Sequence, residues 1–488
     1  MNAVPSNLNT DCVIINKCFT IEQALSKACP VPGTDTPSTT SNQRQELLEK
    51  RKTTMKTTMN KNICVIGLGY IGLPTAVMFA NSGVRVHGMD VNEKAVNMIA
   101  NKQLHIEENG LQERLEEAID KGFFTVSTQP VEADVYIVAV PSPINPDNTA
   151  NLEYIRKATA SIVPYLKKGA LVILESTVPP KTVENVMLPE LRKSNLELGV
   201  DLFVSHSPER VIPGKIFEEL INNDRIVGGI TPESAEMTKE LYQTFVQGEI
   251  HLTDATTAEL VKVMENTYRD VNIAFANELA KIAETIDVDV WEAIRFANFH
   301  PRVNIHTPGP GVGGHCIAVD PWFLVELSPE NSDIIKKSRL TNNGMPKFTA
   351  QKAQALLEQH GIQNGNVAVL GLAFKADVDD LRESPSTEVI KELQNLNLHV
   401  TSFDPHIKEL QHPTQRATLG EALQDVDLII LTTDHTEFKN LNPETVNTGD
   451  TKPLVLDTKN ALNRDKWEQA GFRYVKLGDG KNKGLSSI

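Results

Sequence analysis

The sequence predicts an α/β protein of two doubly wound domains joined by a long central helix. Three observations point there. Short apolar runs of strand length alternate with helical segments near the start of the chain and again near its end. Many of these runs stop at glycine, proline or an acid. A single helical pattern without proline or glycine lies between the two sets. The pattern divides the 488 residues into a tail at 1–58, a dinucleotide-type domain at 59–252, a central helical region at 253–345 and a second α/β domain at 346–488.

Residues 33–60 are rich in Thr, Ser, Gln and Lys and poor in periodic apolar positions, so a disordered tail is expected there, with Met55 and Met59 just before the first strand. Order is expected from Asn62-Ile63-Cys64-Val65-Ile66, which runs into Gly67-Leu68-Gly69-Tyr70-Ile71-Gly72 and a helix through Phe79. A second strand, Val84 to Asp90, ends in an acid 18 residues after Gly72. A GxGxxG alone is weak evidence. Between a strand and a helix, with Asp90 to accept ribose hydroxyls, it is the Rossmann fingerprint of an NAD site, and the acid favours NAD over its 2′-phosphate form.

Further strands are expected at Val135–Val140, Leu171–Glu175 and Asp201–Ser205. Ligands of such sheets lie beyond the carboxyl ends of the strands, which is where Ser142, Thr177, Glu209 and Arg210 fall. By residue type, each of the four also suits a loop or a cap.

The central helix is expected from Thr256 to about Ile286, roughly 45 Å at 1.5 Å per residue. Leu260, Val261, Met264, Val271 and Phe275 give it apolar surface, while Lys262, Asn266 and Arg269 stand at i, i+4 and i+7 on one face. A polar triplet of this kind is commonly a solvated face. Its strongly apolar flanks point instead to a cleft, and the helix is a natural dimer element.

After it comes Gly309-Pro310-Gly311-Val312-Gly313-Gly314-His315-Cys316, with Asp320 four residues on. Glycines let backbone pass close to a ligand, and a thiolate attacks carbonyl carbon well. A cysteine also packs as a small hydrophobe, so the loop alone leaves both readings open. The last region has strands at Val367–Leu370, His399–Asp404, Leu428–Leu431 and Pro453–Asp457 but lacks the full glycine fingerprint, which suits a nucleotide held differently from NAD. Lys375, Arg382 and Lys459 lie near its strand ends, where phosphates could be met.

The net charge of −15 argues against a nucleic-acid or anionic-membrane partner. Cys12, Cys18, Cys29, Cys64 and Cys316 form no disulfide or metal-site spacing, so a reducing cytoplasm and no metal are expected, with Cys64 in the core. Neither a membrane span nor a signal peptide is expected.

With the fingerprint, the Lys262 helix, the thiol loop and a second nucleotide-type domain in one chain, residues 60–480 resemble the UDP-glucose/GDP-mannose dehydrogenase family. His315 and Val319 depart from the Ser and Lys of its UDP-glucose branch. The resemblance therefore implies a UDP-N-acetylhexosamine substrate, the mannosamine epimer ahead of the glucosamine and galactosamine ones. It also implies NAD-dependent four-electron oxidation of the sugar's C6 alcohol, for polysaccharide synthesis, by a homodimer.

The resemblance further implies Cys316 as nucleophile, Lys262 and Asn266 at the reacting oxygen, and Asp320 and Glu209 as candidate acid/base groups. Tyr70, Ile71, Asp90, Ser142, Thr177 and Arg382 are similar to the family's NAD contacts. Arg210, Val211, Lys262, Asn266, Arg269, His300, Arg302, Gly313, Phe374, Lys375 and Lys459 are similar to its UDP-sugar contacts, with His300 and Arg302 placed to serve a neighbouring subunit. Two other readings compete: a two-electron enzyme resembling 6-phosphogluconate dehydrogenase and a non-catalytic NAD sensor. The former needs neither Cys316 nor residues 365–480, and the latter has no use for the Lys262 stripe.

Overall fold

The computed structural model describes residues 61–106, 108–212, 214–446 and 452–481. The tail expected at 1–58, with three of the cysteines, lies outside the described residues.

Buried Val, Ile and Leu runs with helices on both faces make the first sheet. Its strands are β1 (Asn62–Ile66), β2 (Arg85–Met89), β3 (Phe124–Ser127), β4 (Val135–Val138), β5 (Ala170–Leu174), β6 (Leu202–His206), β7 (Arg225–Gly229) and β8 (Ile250–Asp254), in the order β3-β2-β1-β4-β5-β6-β7-β8. All neighbours run parallel except β6 and β7, where Ser205 faces Gly229 and His206 faces Gly228. Ile63 and Val65 enter one core and Cys64 and Ile66 the other, as the two-residue period of a strand requires. The order reverses between β1 and β4, opening a crevice at their carboxyl ends.

The second sheet runs β10-β9-β11-β12-β13 and is parallel throughout. Its strands are β9 (Asn366–Leu370), β10 (His399–Phe403), β11 (Leu428–Leu431), β12 (Leu454–Asp457) and β13 (Arg473–Lys476). Sequence reasoning missed β3, β7, β8 and β13. These strands lie at or beside sheet edges, and β7 carries two glycines while β8 is half exposed, so none shows the long apolar run of an interior strand.

Six helices matter to the site: α1 (Gly72–Asn81), α2 (Pro232–Tyr242), α3 (Ala255–Thr285), α4 (Val290–Ala297), α5 (Asp320–Leu327) and α6 (Asp333–Asn343). The Asp254 carboxylate caps α3 by accepting the Thr257 N–H at 2.9 Å. The inner face of α3 is small and polar (Ala258, Glu259, Asn266, Asp270, Ala274, Asn277 and Ala280 are all buried), which lets α5 and α6 approach closely. Its outer face carries Leu260, Met264, Tyr268, Phe275 and Ile282, with Ile286 just past its end, each 40–60% exposed. No helix among the described residues is long and apolar enough to cross a membrane.

Candidate active site

The crevice begins with the glycine turn after β1. Gly67 has φ +92°, and a Cβ there would lie 2.5 Å from the Ala139 carbonyl oxygen. A Cβ on Gly72 would come within 1.9 Å of the Gly67 oxygen, so both positions are closed to any side chain. Gly69 differs, since nothing lies within 4 Å of a Cβ built on it. That open shelf beside the N-terminus of α1 fits a pyrophosphate.

At the end of β2, Asp90 accepts the Leu68 N–H at 2.8 Å and the Asn92 N–H at 2.9 Å, which holds its half-buried carboxylate at the crevice rim. Ser142 donates its hydroxyl to the Thr177 carbonyl and Ser176 donates to the Val140 carbonyl, clipping the ends of β4 and β5 together. Ile71 is half-buried at the start of α1. Tyr70 lies with its ring centroid 5.5 Å from the Arg382 guanidinium. A cleft of about 820 Å³ opens beside it, walled by Lys102, His105, Asn109 and Asp379.

Cys316 lies on the turn that leads into α5, four residues before its first residue Asp320, and is exposed. Its carbonyl accepts the N–H groups of Val319 (3.1 Å) and Asp320 (2.8 Å). Asn266 of α3 donates to the buried Asp320 carboxylate at 2.6 Å, and the charge of Lys262, one turn earlier, reaches both Asp320 and the thiol. Burial pushes the Asp320 carboxyl up to about 7, against the pull of Asn266 and Lys262. The protein packed around Cys316, and then Asp320, raise its thiol, while Lys262, Arg269 and Arg382 pull it down. The α3 stripe, the thiol and Asp320 therefore meet.

The glycine loop is dense because it is squeezed. A Cβ on Gly313 would lie 2.4 Å from the Glu383 oxygen, and one on Gly314 2.7 Å from the Phe374 ring. Gly309 donates its N–H to Asn277 of α3 at 2.9 Å, Asn277 donates to Asn342 at 2.9 Å, and Asn342 donates to Asp270 at 2.8 Å, where Arg339 also binds. Sequence reasoning missed this anchor. Its signal was polar residues seven apart, 270 and 277, on a face otherwise lined by alanine.

Glu209 is buried and fully engaged: one oxygen accepts the Arg210 N–H at 2.8 Å and the other pairs with buried Arg225. Arg225 also lies 3.6 Å from Glu175 and over the Tyr242 ring. Burial raises Glu175 to about 7 despite Arg225, with Glu209 adding to the rise. Neither Arg225 nor Glu175 was anticipated, because β7 itself was missed and Glu175 reads as the ordinary end of a strand. Arg210 pairs through two nitrogens with Glu265 of α3 (3.0 and 2.6 Å), and Val211 follows it half-buried.

From the second domain, the loop after β9 brings Phe374 against Gly314 and holds Lys375 exposed. Arg382 grips Asp380 through two nitrogens at 2.8 and 2.7 Å. Lys459, just past β12, points its ammonium to 3.7 Å from a Cβ built on Gly309. His300 and Arg302 stand exposed on the turn after α4 and are not among the charges that weigh most on Cys316.

Three family models match the chain, all of the UDP-glucose/GDP-mannose dehydrogenase family: its NAD binding domain at 61–246, its central domain at 256–344 and its UDP binding domain at 368–464. A UDP-N-acetyl-D-mannosamine dehydrogenase of Methanocaldococcus jannaschii is 47% identical over 433 residues, covering 88% of this chain and 99% of its own. The solved structure of a UDP-D-ManNAc dehydrogenase from Pyrococcus horikoshii superposes with a TM-score of 0.80 at 40% identity, covering 86% of this chain and all of that one. A UDP-N-acetyl-mannosamine dehydrogenase from Staphylococcus aureus gives 0.79 at 43%, with the same two coverages.

Proposed function

The chain belongs to the UDP-glucose/GDP-mannose dehydrogenase family, and from that membership we propose that it oxidises the C6 alcohol of UDP-N-acetyl-D-mannosamine to the uronate with two NAD⁺. The observation that carries this reading is the meeting of the Cys316 thiol with Lys262, Asn266 and Asp320, with Arg382 acting on the thiol and lying over Tyr70 of the glycine turn. Gly67, Gly69 and Gly72 would admit the pyrophosphate, Asp90 would take ribose hydroxyls, and Tyr70, Ile71, Ser142, Thr177 and Arg382 would line the rest. NAD⁺ bound there would supply the hydride acceptor, a fresh NAD⁺ replacing NADH for the second oxidation.

In the first oxidation the alcohol loses a hydride and its hydroxyl proton, leaving an aldehyde. Cys316 sulfur then bonds to the aldehyde carbon, and the oxygen takes up the thiol proton to give a thiohemiacetal. A second loss of hydride and proton leaves a thioester. Water adds, the C–S bond breaks, and uronate and thiol are released. Lys262 donates hydrogen bonds to the oxygen as charge grows on it, with Asn266 beside it.

We assign activation of the hydrolytic water to Asp320 rather than Glu209. A carboxyl near 7 can exchange a proton at neutral pH, whereas both Glu209 oxygens are committed to Arg225 and Arg210. Phe374, Lys375, Lys459, Gly313, Arg210, Val211 and Arg269 would hold the UDP-sugar, with His300 and Arg302 serving the neighbouring subunit of a homodimer. The apolar outer stripe of α3 supports that dimer. The same reading divides the chain at 59–252, 253–345 and 346–488. An open nucleophilic thiol at Cys316 favours a reducing cytoplasm.

The test is to incubate the purified protein with NAD⁺ and each of the three UDP-N-acetylhexosamines. The mannosamine epimer should give the highest kcat/KM and two NADH per uronate. One NADH per sugar, or a preference for another epimer, would overturn the corresponding half of the proposal.

A further inference from the structure

The two sheets repeat one piece of hardware with a single change. In the first, Gly67 donates its N–H to the Met89 carbonyl at 2.8 Å, and Leu68 donates to the acid ending β2, Asp90, at 2.8 Å. In the second, Gly371 donates to the Phe403 carbonyl at 2.9 Å, and Leu372 donates to the acid that follows β10, Asp404, at 2.6 Å. Even the backbone agrees, with φ +92° at Gly67 and +96° at Gly371.

The change is what the acid does next. Asp90 keeps a half-exposed carboxylate, but Asp404 is buried and saturated. One of its oxygens takes the N–H groups of Leu372, Ala373 (2.9 Å) and the His435 Nε2 (3.0 Å), and the other takes those of His406 (2.9 Å) and Ile407 (3.3 Å). His435 is itself completely buried, and its other ring nitrogen accepts the Asp377 N–H at 2.9 Å. A backbone N–H can only donate, so the ring must carry its proton on Nε2, towards Asp404.

We propose that His435 is a positioning residue, tying the loop that carries Phe374, Lys375 and Arg382 into the shape that receives the uridine nucleotide. Through Asp404 it holds the start of that loop, and through the Asp377 N–H it holds the middle. The inference rests on the substrate reading above and adds a residue that touches neither substrate nor cofactor.

A cation is the competing explanation, since His406 Nε2 lies 3.2 Å from Glu437 and 3.7 Å from Asp377. The free lone pair of His435 is already spent on Asp377, however, and both Asp377 oxygens accept from Thr436, at 2.8 Å each. Hydrogen bonds account for the cluster.

The test is amide hydrogen exchange on the full chain, alongside calorimetric binding of UDP, for the wild type, His435→Leu and His435→Asn. In His435→Leu, exchange at 372–377 should speed up and UDP should bind more weakly, each about ten-fold, the scale of one lost buried hydrogen bond. KM for the UDP-sugar should rise with kcat little changed. His435→Asn, whose side-chain oxygen can still accept from Asp377, should recover part of both, and exchange across β1 should not move.

Unchanged loop exchange in His435→Leu would overturn the inference, as would a loosened loop that binds UDP like the wild type. Faster wild-type exchange after EDTA would assign the tether to a metal instead. If the wild type binds no UDP, the substrate reading fails, while the exchange measurement still decides the tether.

Discussion

Asn266 donates a hydrogen bond to Asp320 at 2.6 Å, and both side chains are buried. This contact ties the helix bearing Lys262 to Asp320, the first residue of α5, four residues after Cys316. It places an amide donor on a carboxyl whose burial opposes ionisation.

Asp320→Asn should raise stability at neutral pH and suppress turnover. The folded pKa of about 7 lies above the unfolded value of about 3.9, so the contribution of Asp320 is full below pH 4 and is lost as pH rises through 7. Melting temperatures of the two proteins should converge near pH 4 and separate by pH 8, the asparagine form being higher by the equivalent of a few kcal/mol at most. In the wild type, product release should fall off below about pH 7. Parallel melting curves across this range would refute the assignment.

Cys316→Ser should form no uronate. Rapid-mixing absorbance at 340 nm (the NADH band) and mass spectrometry of the sugar should find at most one NADH per sugar and no acyl-enzyme. Normal uronate output would exclude covalent catalysis.

Replacing the ammonium of Lys262 with an apolar chain, Lys262→Met, should lower kcat about 10²- to 10³-fold, the usual effect of removing one oxyanion donor. NAD⁺ affinity should not change, and equilibrium dialysis checks that control.

Gly69→Ala and Gly72→Ala should fail differently. Space is open around Gly69, so that variant should fold and melt like the wild type yet lose NAD⁺ binding. Gly72→Ala drives a methyl into the Gly67 carbonyl and should not fold stably. Circular dichroism with NAD⁺ titration separates the two.

Met264→Glu combined with Phe275→Glu puts charge on two half-exposed apolar positions of α3. Light scattering should find dimers for the wild type and monomers for this variant, with activity falling as the proposed reach of His300 and Arg302 into a neighbouring subunit is lost.

The first sheet's interior strands were legible because burial on both faces makes them continuous apolar runs, and α3 because its 31 residues pass without proline or glycine. The glycine shelf was legible through its spacing with Asp90. The engagement of Glu209 by Arg225 was not, because residues 209 and 225 meet only through strand pairing. The same holds for Asn277 with Gly309, and for His435, whose ring is tied to an acid 31 residues away.

One rigid rod carries Glu259, whose carboxylate receives the Lys181 and Val183 N–H groups, then Lys262, Asn266 and Asn277, which receives the Gly309 N–H. Adding or deleting a single residue anywhere between positions 259 and 277 would turn everything beyond it by about 100°. The length of this stretch cannot change, and homologous enzymes that keep the chemistry should align through it without a gap.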